Sequence, residues 1–353
     1  MNKEKTILYI ENSFLSPLIN DEEVTDISYN GETIYYVSNS LGRNKADIVI
    51  SHDEVKSFIR QLANLAEKQF SYSTPILDIS VGRYRLNALH QSIGKVNNDD
   101  ALTFSLRLAS LHPRITSNSS FLDEKLRWLF SHLLKNRFSI VIGGITGTGK
   151  TEFQKYLLRN LPNYERVVVI DNVLELDNVR SDTSIDLVSW QIDEKNENTN
   201  ISSLIRNALR SNPDWLVVAE ARGKEMIDVL NSAMTGLPII TTLHAKSASS
   251  IVNRMERMVL MNKNEIDEEG VVKDINYHFH VFVYLEKYED DNNQIYRYIK
   301  EIVISNDNGE LTSIYEEKEK HKNHKKISKS LLSLLKIEEK EYFSNWNCEH
   351  EGE

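Results

Sequence analysis

Eight consecutive residues constrain this chain more than any other stretch: Gly144-Ile145-Thr146-Gly147-Thr148-Gly149-Lys150-Thr151. They match G-x-x-x-x-G-K-[ST] at every fixed position. An apolar run, Phe138-Ser139-Ile140-Val141-Ile142, precedes them and reads as a short buried strand. After them Phe153, Tyr156, Leu157 and Leu161 recur at helical spacing. Strand, glycine loop and helix are the context in which this pattern becomes a phosphate site. Glycines let successive backbone N–H groups turn inward, and the helix N-terminus adds partial positive charge. The pattern assigns Lys150 to the β- and γ-phosphates and the Thr151 hydroxyl to Mg²⁺. The chain is therefore expected to bind a nucleoside triphosphate along 144–151.

Composition narrows the class. The net charge of −10 argues against non-specific nucleic-acid binding as the main task, which needs a basic footprint. No run of 18 apolar residues occurs, and the first residues, MNKEKTILYIENS, lack a signal-peptide apolar region. The expectation is a chain that stays in the cytoplasm. A single cysteine, Cys348, excludes a disulfide framework and a thiolate zinc site, and reads as an exposed thiol without a role.

The pattern divides near residue 110. Before it, VTDISYNGETIYYVSNS alternates about an Asn30-Gly31 turn, a hairpin signal. Val55, Phe58, Ile59, Leu62 and Leu65 then predict a helix with Asp53 as its N-cap, and ILDISVGRYRLNALHQSI and ALTFSLRLA predict strands. LHPRITSNSS reads as a short linker. Beyond it, apolar runs alternate with amphipathic helices, which implies a mostly parallel sheet covered on both faces. A later hairpin is expected to turn at Asp290 to Asn293. The expected organisation is an α+β N-terminal domain over 1–110, a linker over 111–120, an α/β P-loop domain over 121–318 and a charged tail over 319–353. Ile327, Leu331, Leu334 and Leu335 give that tail one apolar helical face, suited to packing on the body or to docking.

Hydrolysis needs groups beyond the loop, and strand ends beside it are where a parallel sheet puts them. Glu220 ends the run WLVVAE, with Arg222 two residues on; Asp171 and Glu175 follow VVVI; His244 follows IITTL. A carboxylate at 220 would reach Mg²⁺ through water or polarise the attacking water. Asp171 and Glu175 would complete the water and metal environment. An imidazole at 244 would report loss of the γ-phosphate.

Together these segments resemble the secretion ATPase superfamily, the motors of type II secretion, type IV pili and type IV secretion. IGGITGTGKT resembles its Walker A, VIDNVLEL its Asp box, LIRNALRSNPDWLVVAEARG its Arg-rich helix and Walker B, and TTLHAKSA its His box. LINDEEVTDISYNG and VGRYRLNALHQSI resemble the N-terminal domain of the tight-adherence pilus and conjugation-type branch. The resemblance implies a RecA-like core, ATP and Mg²⁺ as cofactors, and a homo-hexameric ring. It also implies a polytopic inner-membrane platform protein as partner and a peripheral position at the inner face of the membrane. It gives Glu220 the Walker B catalytic role and His244 the His-box role, and it matches Arg85 and Arg107 to N-terminal arginines that approach the phosphates. Departures are Asp171-Asn172 where the family has Glu-Asp, Ala219 where it has glycine, and a slightly shorter TGLPIITTLHA. The rivals are a nucleic-acid translocase or helicase on the same core, and a nucleotide-dependent scaffold with little turnover.

Overall fold

The computed structural model describes residues 2–110, 112–193, 196–262, 267–306, 308–318 and 321–346; Cys348 lies outside them. Two compact units make up the chain. One is Met1–His112 with Tyr288–Tyr296, the other Pro113–Lys287 with Arg297–Glu353.

The first unit is an antiparallel sheet in the order Arg43–Lys45, Ile34–Ser38, Val24–Tyr29, Thr103–Leu108, Tyr84–Leu89, Ile76–Val81. The hairpin at Asn30-Gly31 forms as its sequence demands. Gly31 takes φ +105°, and Asn30 Oδ1 accepts the N–H groups of Glu32 and Thr33. The helix behind the sheet is His52–Leu65, and it corrects one expectation, because its N-cap is Ser51 rather than Asp53. Ser51 Oγ accepts Glu54 N–H while Glu54 Oε2 accepts Ser51 N–H, so two orphan donors are satisfied reciprocally. A cap at Asp53 would satisfy only one. Within the same unit Ile295 N–H donates to Ser40 O and Gly42 N–H to Asn293 O, across the turn of the late hairpin.

The second unit is built on a nine-stranded sheet among the described residues. Its order is Asp186–Gln191, Arg166–Asp171, Trp215–Val218, Ile239–Leu243, Ile140–Gly144, Val281–Glu289, Ile295–Ser305, Leu311–Lys318, His321–His324. The first six are parallel and the last three antiparallel. Period-two burial on both faces explains the apolar runs. Ile140, Ile142, Val167, Val169, Trp215 and Val217 face one core. Val141, Val168, Ile170, Leu216 and Val218 face the other. Helices Glu124–Lys135 and Lys150–Arg159 cover the first face; Ile201–Ala208, Met226–Met234 and Ala248–Leu260 cover the second.

Two segments that read as peripheral belong to this body. Ile115 packs against the Gly149 backbone, and Arg114 N–H donates to Glu152 Oε1 at 2.9 Å. At the other end His321–His324 adds the last strand, and Ile327, Leu331, Leu335, Tyr342 and Trp346 are buried in the first core. Among the described residues no helix is long and apolar enough to cross a membrane.

Candidate functional site

The P-loop strand Ile140–Gly144 lies between Ile239–Leu243 and Val281–Glu289, so its C-terminal end opens in the middle of the sheet. Gly147 and Gly149 take φ +80° and +94°, a left-handed backbone that only glycine adopts cheaply. The helix begins at Lys150, immediately after Gly149. Its other anchor is Gln154, whose Nε2 donates to Val218 O in the interior. Ile145, Thr146 and Gly147 are exposed, whereas Thr148 is buried and donates its hydroxyl to Ile145 O. Lys150 Nζ donates to Gly144 O at 2.8 Å and Ile145 O at 3.0 Å. Burial pushes its ammonium below the usual lysine range, and the Glu220 carboxylate opposes that shift. Among the described residues the acceptors of this partly buried ammonium are thus the two loop carbonyls.

Glu220 is delivered by two backbone ties. Thr242 Oγ1 donates to Ala219 O at 2.7 Å and Ala221 N–H donates to Thr242 O at 2.8 Å. These bind the end of Trp215–Val218 to Ile239–Leu243 and set Glu220 beside His244. His244 Nε2 lies 2.9 Å from Glu220 Oε1. Arg222 holds the other oxygen, with Nε at 3.0 Å and Nη2 at 2.8 Å from Oε2. Glu225 Oε1 in turn accepts the N–H groups of Arg222 and Gly223, fixing the turn that carries the guanidinium. Glu220, Arg222 and His244 therefore form one cluster, coupled electrostatically to Lys150.

Asp171 is placed differently. It is 4% exposed, and its carboxylate accepts the N–H groups of Val173 and Leu176. Burial pushes this carboxyl up, the Val173 N–H pulls it down, the Glu175 charge pushes it up again, and the net position is above the ordinary range. Its oxygens thus fold the turn that leads into Glu175–Asp182. Glu175 is half-buried, and its charge acts on Lys155, an almost fully buried lysine on the P-loop helix. Arg85 and Arg107 are cross-strand neighbours on the first unit's sheet, with Arg107 Nε 3.1 Å from Asp26 Oδ1.

Two cations escaped the sequence reading. Arg297 Nε donates to Gly147 O at 2.8 Å, and Lys287 Nζ lies 3.0 Å from where a Gly147 Cβ would stand. Arg297 follows its glycine by 150 positions, and no local pattern announces such a pairing. Among the described residues no three His, Cys, Asp or Glu side chains group to hold a metal. The hydroxyl of Thr151, in the first turn of the P-loop helix, and the carboxylate of Glu220, beyond the end of Trp215–Val218, are oxygen donors of the kind that suits a Mg²⁺ arriving with phosphates and keeping its own waters.

Residues 105–274 match the family described as "Type II/IV secretion system protein". An uncharacterized protein of Bacillus anthracis is 28% identical over 301 residues, covering 81% of this chain and 66% of its own length. The type IV secretion system protein VirB11 of Brucella suis is 35% identical over 127 residues, covering 35% of each chain. The chain thus spans under two thirds of these relatives. The solved structure of the ATPase DotB of Legionella pneumophila superposes with a TM-score of 0.64 at 20% identity, covering 87% of this chain and 82% of that one. That likeness carries the fold, a RecA-like core with a mostly parallel sheet.

Proposed function

Because residues 105–274 match the type II/IV secretion system protein family, we propose that this chain hydrolyses ATP as a hexameric motor at the inner face of a membrane. Its work would be pilus assembly, protein secretion or conjugative transfer, through contact with a polytopic membrane platform protein. The observation that carries this reading is the Glu220 carboxylate held between His244 and Arg222 and coupled to Lys150.

In this reading the loop N–H groups of 144–151 and the start of the Lys150–Arg159 helix cradle the phosphates. Lys150 leaves the Gly144 and Ile145 carbonyls for the β/γ-phosphates. Thr151 and, through water, Glu220 would hold Mg²⁺, which when bound neutralises developing phosphate charge. Glu220 orients and polarises the attacking water. His244 fixes the carboxylate's orientation through its Nε2–H, and Arg222 stabilises its charge. Asp171 acts by shaping the turn that carries Glu175, so we assign it positioning rather than catalysis. Arg85 and Arg107 are assigned to the phosphates on the resemblance alone.

The test is phosphate release by the purified chain with ATP and Mg²⁺, together with its native mass with and without nucleotide. Turnover that Lys150→Ala abolishes, accompanied by a hexameric mass, is the expected result. Turnover no higher than that of Lys150→Ala overturns the enzyme, and a monomer at full activity overturns the ring.

A further inference from the structure

The strands Val281–Glu289 and Ile295–Ser305 bring Lys287 and Arg297 to the loop, and neither belongs to the motifs that mark the site. Both side chains are half-buried. Arg297 Nε donates to Gly147 O at 2.8 Å, and its Cδ lies 3.8 Å from where a Cβ on Gly149 would stand. The guanidinium therefore lies along the glycine side of the loop, with the Gly147 carbonyl as an acceptor.

The peptide that carries this carbonyl joins Gly147 to Thr148. In a trans peptide the C=O and N–H vectors are opposed, and no cis bond occurs among the described residues. Anchoring the Gly147 oxygen on one side consequently fixes the Thr148 N–H on the other. Gly147 at φ +80° has no side chain to restrict that peptide's rotation, so an external anchor does what local sterics do not. A cation on the carbonyl also polarises the amide, which makes its N–H a stronger donor.

We propose that Arg297 is a positioning residue for nucleotide phosphates, acting through the Gly147–Thr148 peptide, with Lys287 adding positive potential behind the loop. This rests on the P-loop reading above. It differs from a γ-phosphate finger in a testable respect. The cradled phosphates are common to ADP and ATP, so Arg297 serves both nucleotides equally and the chemical step little.

The experiment uses the full chain with fluorescent ADP and ATP analogues, steady-state phosphate release and thermal unfolding. Arg297→Ala is expected to weaken both nucleotides by about tenfold, the scale of one hydrogen bond to a charged group. KM should rise in step while kcat changes by less than about twofold. Arg297→Lys, which still offers a charged donor to the carbonyl, should recover most of the affinity. Lys287→Ala should give a smaller loss that added salt diminishes. A fall in kcat at unchanged ADP affinity overturns the proposal in favour of a finger. Unchanged affinity overturns it outright. Lost affinity with lowered thermal stability and no rescue by lysine reduces Arg297 to a structural part. If wild type itself binds no better than Lys150→Ala, the P-loop reading fails; if wild type binds and Arg297→Ala equals it, only this proposal fails.

Discussion

Replacing Glu220 with glutamine separates folding from chemistry, because the structure makes the two effects unequal. The substitution keeps size and removes one charge. On the folding side, the carboxylate loses its charge-assisted bonds to Arg222 and His244. Those side chains are 61% and 51% exposed, so solvent already screens both pairs. Exposed pairs of this kind contribute about 0–1 kcal/mol, and the fold should lose no more than that. On the chemical side, a group aimed at charge that develops in the transition state is worth roughly 10²–10³ in rate, about 2.7–4 kcal/mol. Nucleotide affinity should hold or tighten, since a negative charge beside Lys150 disappears. The assay pairs phosphate release at saturating ATP with fluorescent-ATP binding and an unfolding curve. The expected variant folds, binds ATP and hardly turns over. Near wild-type turnover with weakened binding would refute the reasoning, make Glu220 a binding residue and move the catalytic carboxylate to Glu175.

Two further outcomes follow from the same structure. Arg85→Ala and Arg107→Ala in the full chain should each slow phosphate release while leaving ADP affinity unchanged, since the resemblance assigns them to charge that forms in hydrolysis; full activity in both variants leaves those arginines as surface strand residues. Asp123 caps the helix Glu124–Lys135, with His324 Nε2 at 3.0 Å and Lys322 Nζ at 3.6 Å. Burial pushes this carboxyl up, but His324, the Leu126 N–H and Lys322 outweigh it and hold it below the ordinary range. A depressed carboxyl stabilises the fold above its unfolded pKa of about 3.9, and that contribution vanishes as pH falls through the folded value. The stability gap between wild type and Asp123→Asn in urea should therefore narrow below about pH 4; a gap constant from neutral to acid removes the ion pair as its source.

Much of the molecule is determined by the sequence alone, wherever short-range rules decide. Gly147 and Gly149 take the left-handed backbone that the loop requires, and the helix starts at the motif's lysine. Asn30-Gly31 turns its hairpin, Asp290 to Asn293 close the late one, and the apolar runs become strands buried on both faces. Each depends on φ preference, capping or periodicity within a few residues. Even there, a capping box moved one helix start from Asp53 to Ser51, since two reciprocal bonds outweigh one.

What tertiary structure decided is which distant residues share a place. Strand order sets Glu220 against His244, and the bond from Thr242 to Ala219 O fixes that register; neither strand's sequence states it. Burial placed the Asp171 carboxylate where it accepts the N–H groups of Val173 and Leu176 and folds its own turn. The charged tail became a strand and a piece of core, because Ile327, Leu331 and Trp346 find an apolar face to cover. Lys287 reaches the loop from the parallel strand beside it, and Arg297 from the next strand, where the antiparallel part of the sheet begins. Local propensity acts over a few residues, whereas side-chain partnership depends on which surfaces the whole chain must bury. That is why the loop could be read from eight letters and the cations beside it could not.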